Sequence, residues 1–176
     1  HSERFEARVS GARRWRNYDA RERRNSVGRE IAGTELKISE QEVQTRIDVA
    51  WDKAKQWKST TRAILLHYRD NGSGYFNYRE TRVEHEVEWD GERWLVRVGG
   101  SAGRQDYGVQ KSDEGGLTPP PRIKDEYTAE LYVERTLSPR WLAFAKYSWE
   151  RNRSNDPFAT YRVNEGLLGI RWSWEK

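Results

Sequence analysis

The chain has 176 residues, of which 35% are hydrophobic and 34% are charged, and its net charge is +4. This length predicts a single domain over residues 1–176. The mean hydropathy of −1.10 and the lack of an apolar run of about 18 residues exclude a transmembrane helix. Nine Trp, nine Tyr and four Phe exclude a disordered chain, because disordered chains contain few aromatic residues.

The reactive residue types are scarce. The chain contains no cysteine and only three histidines, which excludes a disulfide framework and a thiol nucleophile and leaves little material for a metal site. Charges of both signs are interspersed, which is not the one-sided basic face of a nucleic-acid binder. We therefore expect no cofactor, no metal and no nucleic-acid partner. Because the chain opens with polar residues, we expect no signal peptide, as in a cytoplasmic protein or a mature exported one.

Alternation of apolar and polar residues runs through almost the whole chain. In 83–89, for example, Val, His, Val and Trp alternate with three Glu. Period two over seven to nine residues predicts a strand with two different faces. Turn-forming residues divide the chain into eight predicted strands, roughly 3–18, 38–52, 56–70, 75–89, 92–108, 124–136, 140–153 and 160–174. In the second, Leu36 and Ile38 have the opposite parity to 43–51, which predicts a bulge or a loop near 39–42.

The predicted connections alternate in length. Those at 53–55, 90–91 and 137–139 are tight, and Asp90-Gly91 is typical of a two-residue hairpin. The remaining connections are longer and polar, at 19–37, 71–74, 109–123 and 154–159. In an up-and-down meander, successive connections lie at opposite ends. The tight turns therefore fall at one end and the long loops at the other.

All nine Trp share the strand face that carries the aliphatic residues. Seven of them lie next to the tight turns or at the chain end, and therefore at the same level along the strands. A membrane interface selects Trp in this way, because the indole is apolar with one donor that needs a wet partner. The alternative is a soluble barrel with the apolar face as its core. The predicted girdle consists of Trp51, Trp57, Trp89, Trp94, Trp141, Trp172 and Trp174.

The opposite face carries both signs of charge. The interior of an eight-stranded barrel is just filled by side chains, so charges on an inward face must be paired. We expect ion pairs that plug the barrel. The predicted network consists of Arg46, Arg82, Glu84, Glu86, Arg97, Glu130, Glu134 and Lys146.

As architecture, the whole chain resembles the small eight-stranded outer-membrane barrels of Gram-negative bacteria, of the outer-membrane-protein A and X type. The tail from Gly169 to Trp174 is similar to the C-terminal signal read by the barrel-assembly machinery, with a glycine, two spacers and two aromatics separated by one residue. It departs from that pattern at Leu167 and in the two residues that follow Trp174. With 154–158, the tail is also similar to outer-membrane barrels of unassigned function.

The resemblance implies an all-β, eight-stranded antiparallel up-and-down transmembrane β-barrel in the bacterial outer membrane, in mature form. It also implies the barrel-assembly machinery as a partner during biogenesis. We expect the last strand to pair with the first, because an unpaired edge in hydrocarbon leaves N–H and C=O groups unsatisfied.

No catalytic constellation is visible, so we do not expect an enzyme. His67 and His85 lie on the apolar face, several residue positions apart along the paired strands. The interior glutamates could act as an acid/base pair, but a structural network with arginines is favoured. Arginines near the long loops predict contacts with lipopolysaccharide phosphates, the alternative being a solvated loop surface. These residues are Arg13, Arg104, Arg151 and Arg153.

The leading functional hypothesis is an integral outer-membrane barrel with a plugged interior. It would act as a structural or partner-binding membrane module through its long external loops, with lipid and other outer-membrane proteins as partners. Three alternatives stay open at this point: a narrow, porin-like pore, an outer-membrane enzyme, and a soluble lipocalin-like binding barrel.

Overall fold

The computed structural model describes residues 4–112 and 118–174. They form one antiparallel sheet in which eight strands follow each other in chain order. This confirms the all-β, up-and-down prediction. The strands are β1 (Phe5–Tyr18), β2 (Leu36–Ala50), β3 (Trp57–Asp70), β4 (Tyr78–Asp90), β5 (Trp94–Lys111), β6 (Pro121–Ser138), β7 (Trp141–Ser154) and β8 (Tyr161–Trp172). Across 4–112 and 118–174, no helix is both long and apolar enough to span a membrane.

The strand ends differ from the predicted ones by a few residues. β5 and β6 each continue three residues further than expected towards the long connection between them, and their register is irregular between Asp106 and Lys111. Residues 113–117 of that connection lie outside the described residues. The predicted two-residue turn at 90–91 is a three-residue connection, closed by the N–H of Gly91 on the carbonyl of Trp94.

The predicted interruption of β2 near 39–42 is wrong. β2 pairs without a break with both neighbours, and Trp15, for example, lies opposite Ser39. Leu36 and Ile38 have the opposite parity because they lie on the other face of the sheet, where they are only 4% and 2% exposed. The other buried aliphatic residue of the described segments, Ile64, also lies on this face, near the middle of β3. The parity change thus marks a change of burial along one continuous strand.

Each strand contributes to two distinct faces. On the first, Val83 lies between Ala63 and Ala102, and this face carries the aliphatic residues and the Trp. We call it the apolar face. On the second, Glu84 lies between Arg62 and Ser101. We call it the polar face. The polar face is the more enclosed of the two, because the buried Leu36, Ile38 and Ile64 lie on it.

The sheet is open between its first and last strands. In the described part of the chain, β1 pairs only with β2, β8 pairs only with β7, and no Cα atom of β1 lies within 8 Å of one in β8. The accessible surface is 12622 Å², whereas a compact protein of 20.9 kDa exposes about 9,000 Å². The β1–β8 pairing expected from the sequence is therefore not observed.

Candidate functional site

A row of tryptophans follows the tight-turn end of the apolar face. Trp57 lies directly opposite Trp89, with ring centroids 6.1 Å apart, and Trp141 lies opposite Trp172 at the same separation. The N–H of Trp51 donates to the carbonyl of Trp57, which joins the first tight turn to the row. All seven residues of the predicted girdle are on this face or just beyond it. Trp94 lies opposite Arg135, and Trp174 follows the end of β8.

The indoles of this row remain largely outside any core. Trp51 is 66% exposed and Trp174 is 74% exposed. The indole N–H of Trp51 donates to Ser59 at 3.1 Å, and the guanidinium of Arg135 stacks over Trp94 at 5.0 Å. Indole rings that contact both apolar neighbours and polar groups are typical of a boundary between an apolar phase and water.

The polar face carries short ion pairs between neighbouring side chains. Lys146 contacts Glu130 at 2.8 Å across β6 and β7, and Arg97 contacts Glu88 at 2.7 Å across β4 and β5. Arg82 lies 3.1 Å from Glu80 on its own strand. Of the other predicted network residues, Arg46 pairs with Asp48, Glu84 with Arg62 and Arg82, and Glu134 accepts from the hydroxyl of Tyr132. Glu86 forms no ion pair within 4 Å among the described residues.

Glu80, Glu88 and Lys58 are among the members of this network that the sequence-based prediction omitted. Glu80 is buried and accepts from the side-chain amide of Gln105, while Glu88 is contacted by both Lys58 and Arg97. The alternation of β4 places Glu80 and Glu88 on the face of Glu84. That parity could have identified them before the structure was known.

A hollow of about 350 Å³ opens in the middle of the polar face, over β5. Small residues, among them Gly99 and Ser101, line it together with charged residues of both signs, such as Glu84, Glu130 and Arg97. A second hollow, of about 750 Å³, lies nearer the tight turns, between β1 and β4. Side chains of the described residues therefore do not fill the space on this face.

Two long loops pack against each other at the opposite end. Asp70 organises residues 71–77, because its carboxylate accepts the backbone N–H groups of Gly72, Gly74 and Phe76 at 2.8–3.0 Å. The hydroxyl of Ser73 donates to the carbonyl of Arg24 in the loop between β1 and β2. These loops form a structured cap rather than an unconstrained connection.

Apolar side chains are exposed at the tips of the long loops. Val27 is 73% exposed in the first loop, and Phe158 is 87% exposed before β8. Phe158 belongs to a single turn of 3₁₀ helix (Pro157–Ala159), and its backbone N–H donates to the side chain of Asp156, the N-cap of that turn. Both residues thus project from ordered backbone.

Arginines on the apolar face mark its boundary near the long loops. Arg13 stacks over Trp15 at 4.7 Å, and Arg104 contacts Asp106 at 3.0 Å. Arg151 and Arg153 are exposed and form no ion pair with a described residue. The four predicted phosphate contacts therefore differ in availability, since two of them are already engaged by neighbours.

The two histidines of the strands are apart and separately engaged. His67 accepts from the guanidinium of Arg69 at 3.0 Å, and His85 pairs with the hydroxyl of Thr61 at 2.9 Å. Among residues 4–112 and 118–174, no cluster of three His, Cys, Asp or Glu side chains could hold a metal ion.

Comparisons of this chain with protein-family models, curated protein sequences and solved structures gave no significant match in any of the three.

Proposed function

We propose that the chain is an integral outer-membrane protein whose eight strands form a β-barrel wall, with the apolar face towards lipid. The single observation that carries the proposal is the exposure of that face. On strands that are paired on both sides, Leu65 is 57% exposed and Val98 is 53% exposed, while the buried apolar residues of the described segments are only Leu36, Ile38 and Ile64. A soluble sheet buries its apolar face against a second layer. Lipid provides that layer for a membrane wall.

The tryptophan row supports the same orientation. Its members end the apolar face at the tight-turn side, where a membrane interface selects amphipathic rings. The polar face then faces the lumen, and its short ion pairs are the arrangement that charges need in a partly enclosed space. A lipocalin-like barrel needs the reverse arrangement, with an apolar lumen.

A membrane wall requires that the edges of β1 and β8 be paired, because unpaired N–H and C=O groups in hydrocarbon each cost several kcal/mol. We propose that β1 pairs with β8 of the same chain. In a ring of eight strands β1 lies opposite β5, where the hollow is lined by charged side chains of both signs, four Glu and three Arg. The polar face of β1 also carries both signs, since Glu6 and Arg8 lie on it. Closure would place these charged surfaces across the lumen from each other, which supports a plugged interior.

Paired cysteines can test this closure without background, since the chain contains none. Val9→Cys on β1 is combined in turn with Leu168→Cys, Ile170→Cys and Trp172→Cys on β8, which covers three registers. We expect one combination to form an intrachain disulfide in the refolded monomer. Disulfides only between two chains would refute self-closure.

The long loops then carry the function, as a structural or partner-binding platform rather than a catalytic site. The support for this role is the ordered cap around Asp70 together with exposed Val27 and Phe158 at the loop tips. Exposed apolar side chains on ordered backbone suit a protein partner, because little conformational entropy is lost when they are buried. Other outer-membrane proteins are the proposed partners.

A narrow pore is the second candidate, and the hollows on the polar face favour it. Single-channel recording in planar bilayers separates the two functions. A plugged barrel conducts weakly or not at all, whereas large and stable currents would establish the pore.

The membrane assignment is tested by refolding from urea with and without phosphatidylcholine vesicles. We expect vesicles to be needed for the folded state, and brominated lipids to quench the tryptophan emission. A monomeric, folded and soluble protein in plain buffer would refute the proposal.

A further inference from the structure

Two arginines face each other near the long-loop end of the apolar face. Arg151 of β7 lies directly opposite Arg162 of β8 in the antiparallel register, and both side chains are exposed. Like charges placed directly opposite on neighbouring strands destabilise a sheet. The register, and not the sequence pattern, brings this pair together.

No carboxylate of the described residues neutralises the pair. Neither guanidinium forms a hydrogen bond or an ion pair with a described residue, in contrast to Arg104 at the same boundary, which contacts Asp106 at 3.0 Å. The nearest acid on the same face, Asp125 of β6, lies opposite Arg153 and not opposite either arginine of the pair. The other nearby acids lie on the polar face, where Glu150 accepts from the hydroxyl of Tyr161 and Glu165 lies opposite Ser148. The two charges are therefore left for an external anion.

The height of the pair suggests where that anion comes from. Arg162 is ten residues from Trp172 on β8, or about 33 Å along the strand. With the strand tilt of about 40° found in membrane barrels, the vertical distance is about 25 Å, the height of their apolar band. In the proposed orientation, the pair thus lies at the headgroup level opposite the tryptophan row.

The residues next to the arginine pair on the apolar face are aromatic or polar. Below the arginines, Trp149 lies opposite Asn164, and the hydroxyl of Tyr147 donates to Asn164 at 2.9 Å. An aromatic residue next to Arg151 and a Tyr hydroxyl bonded to the residue next to Arg162 match the boundary between acyl chains and headgroups. Guanidinium groups bind phosphate oxygens in a bidentate manner.

We propose that Arg151 and Arg162 form a binding site for the phosphate group of a phosphorylated lipid headgroup. This inference rests on the proposed membrane orientation. The phosphate replaces the mutual repulsion of the two guanidinium groups by charge-assisted hydrogen bonds to both. Arg153, exposed on the same face two residues along β7, lies opposite Asp125 of β6, so these two opposite charges stand beside the site.

Native mass spectrometry of the protein in neutral detergent micelles tests the site with three probes: phosphatidic acid, phosphatidylcholine and inorganic phosphate. The double variant Arg151→Gln/Arg162→Gln is compared with the wild type. Arg104→Gln is the matched control, because its guanidinium is already engaged by Asp106. We expect the wild type to prefer phosphatidic acid, and the double variant to lose about tenfold or more of this affinity. The control should keep it.

Equal phosphatidic acid binding by the wild type and the double variant would overturn the proposal. Binding of inorganic phosphate without preference for the lipid would also overturn it, because the site would then be a general anion site. Thermal unfolding in detergent gives a second measure. The double variant should be at least as stable as the wild type without lipid, and only the wild type should gain stability from phosphatidic acid.

Vesicle refolding, measured separately, keeps this inference distinct from the membrane assignment. If the double variant loses lipid binding and still inserts into phosphatidylcholine vesicles, both proposals stand. A wild type that fails to insert refutes the membrane assignment and, with it, the lipid-headgroup site.

Discussion

Trp141 and Trp172 face each other across β7 and β8 with ring centroids 6.1 Å apart and a 34° angle between the ring planes. Trp57 and Trp89 repeat this geometry across β3 and β4, at 6.1 Å and 33°. The same arrangement thus occurs in the β3–β4 hairpin and in the β7–β8 hairpin. In both, it lies at the end away from the connecting loop, beside the tight turns of the sheet. Trp174 extends the row beyond β8, with its ring edge-on to Trp172 at 5.2 Å.

Replacing both Trp172 and Trp174 with Ala should reduce membrane insertion in cells more than refolding in detergent. The change removes two interface anchors and also the C-terminal pattern that resembles an assembly signal. Outer-membrane fractionation and detergent refolding yields provide the two measurements. Equal losses in both would indicate a role in stability alone, and normal insertion would show that the tail is not such a signal.

Gly169→Val should destabilise the sheet by about 1–3 kcal/mol, because a side chain at this position would overlap the ring of Phe144 on the polar face. Gly166→Val is the matched control, since nothing lies within 4 Å of the position that its Cβ would occupy. Urea unfolding of both variants in detergent measures the difference. Equal stability of the two would contradict the packing of Phe144 over β8.

Asp70→Ala should loosen the cap without unfolding the strands. Three backbone N–H groups lose a charged acceptor, and hydrogen bonds to a charged group contribute about 1.5–3 kcal/mol each. Amide exchange in 72–76 should therefore accelerate by about tenfold or more. Asp90→Ala, at the opposite end of the sheet, is the control. Unchanged exchange in 72–76 would show that Asp70 does not hold the loop.

The Lys146–Glu130 pair reports whether the polar face is enclosed. In the open sheet these side chains are 41% and 49% exposed, so solvent screens the pair and its coupling should be close to zero. In a closed lumen the coupling should become clearly measurable, because solvent then screens the charges less. A double-mutant cycle with Lys146→Gln and Glu130→Gln measures it. A coupling near zero in refolded protein would contradict a plugged interior.

The sequence predicted the number of strands, their order and the face of each tryptophan, because period two directly reveals the two faces of a strand. It did not reveal how neighbouring strands align. Arg151 and Arg162 are eleven positions apart in the chain, and only the register of β7 and β8 makes them neighbours. Leu36 and Ile38 were misread because loop packing buries them on the otherwise polar face.

The loop cap was also beyond sequence reasoning. Asp70 and the glycines that follow it predict a turn, but the contact of Ser73 with Arg24 joins loops that are far apart in the chain. Whether the edges of β1 and β8 pair with each other also depends on the tertiary structure. Alternation in each strand is the same whether or not a sheet closes.

The most direct test of the membrane assignment uses single cysteines along β5, at positions 96, 97, 98, 101 and 102, in the otherwise cysteine-free chain. Each carries a nitroxide in protein refolded into phosphatidylcholine vesicles, and its collisions with oxygen and with a water-soluble nickel complex are compared. The account predicts that Val96, Val98 and Ala102 favour oxygen, while Arg97 and Ser101 favour nickel or are shielded from both. The opposite alternation, with nickel favoured at 96, 98 and 102, would contradict it.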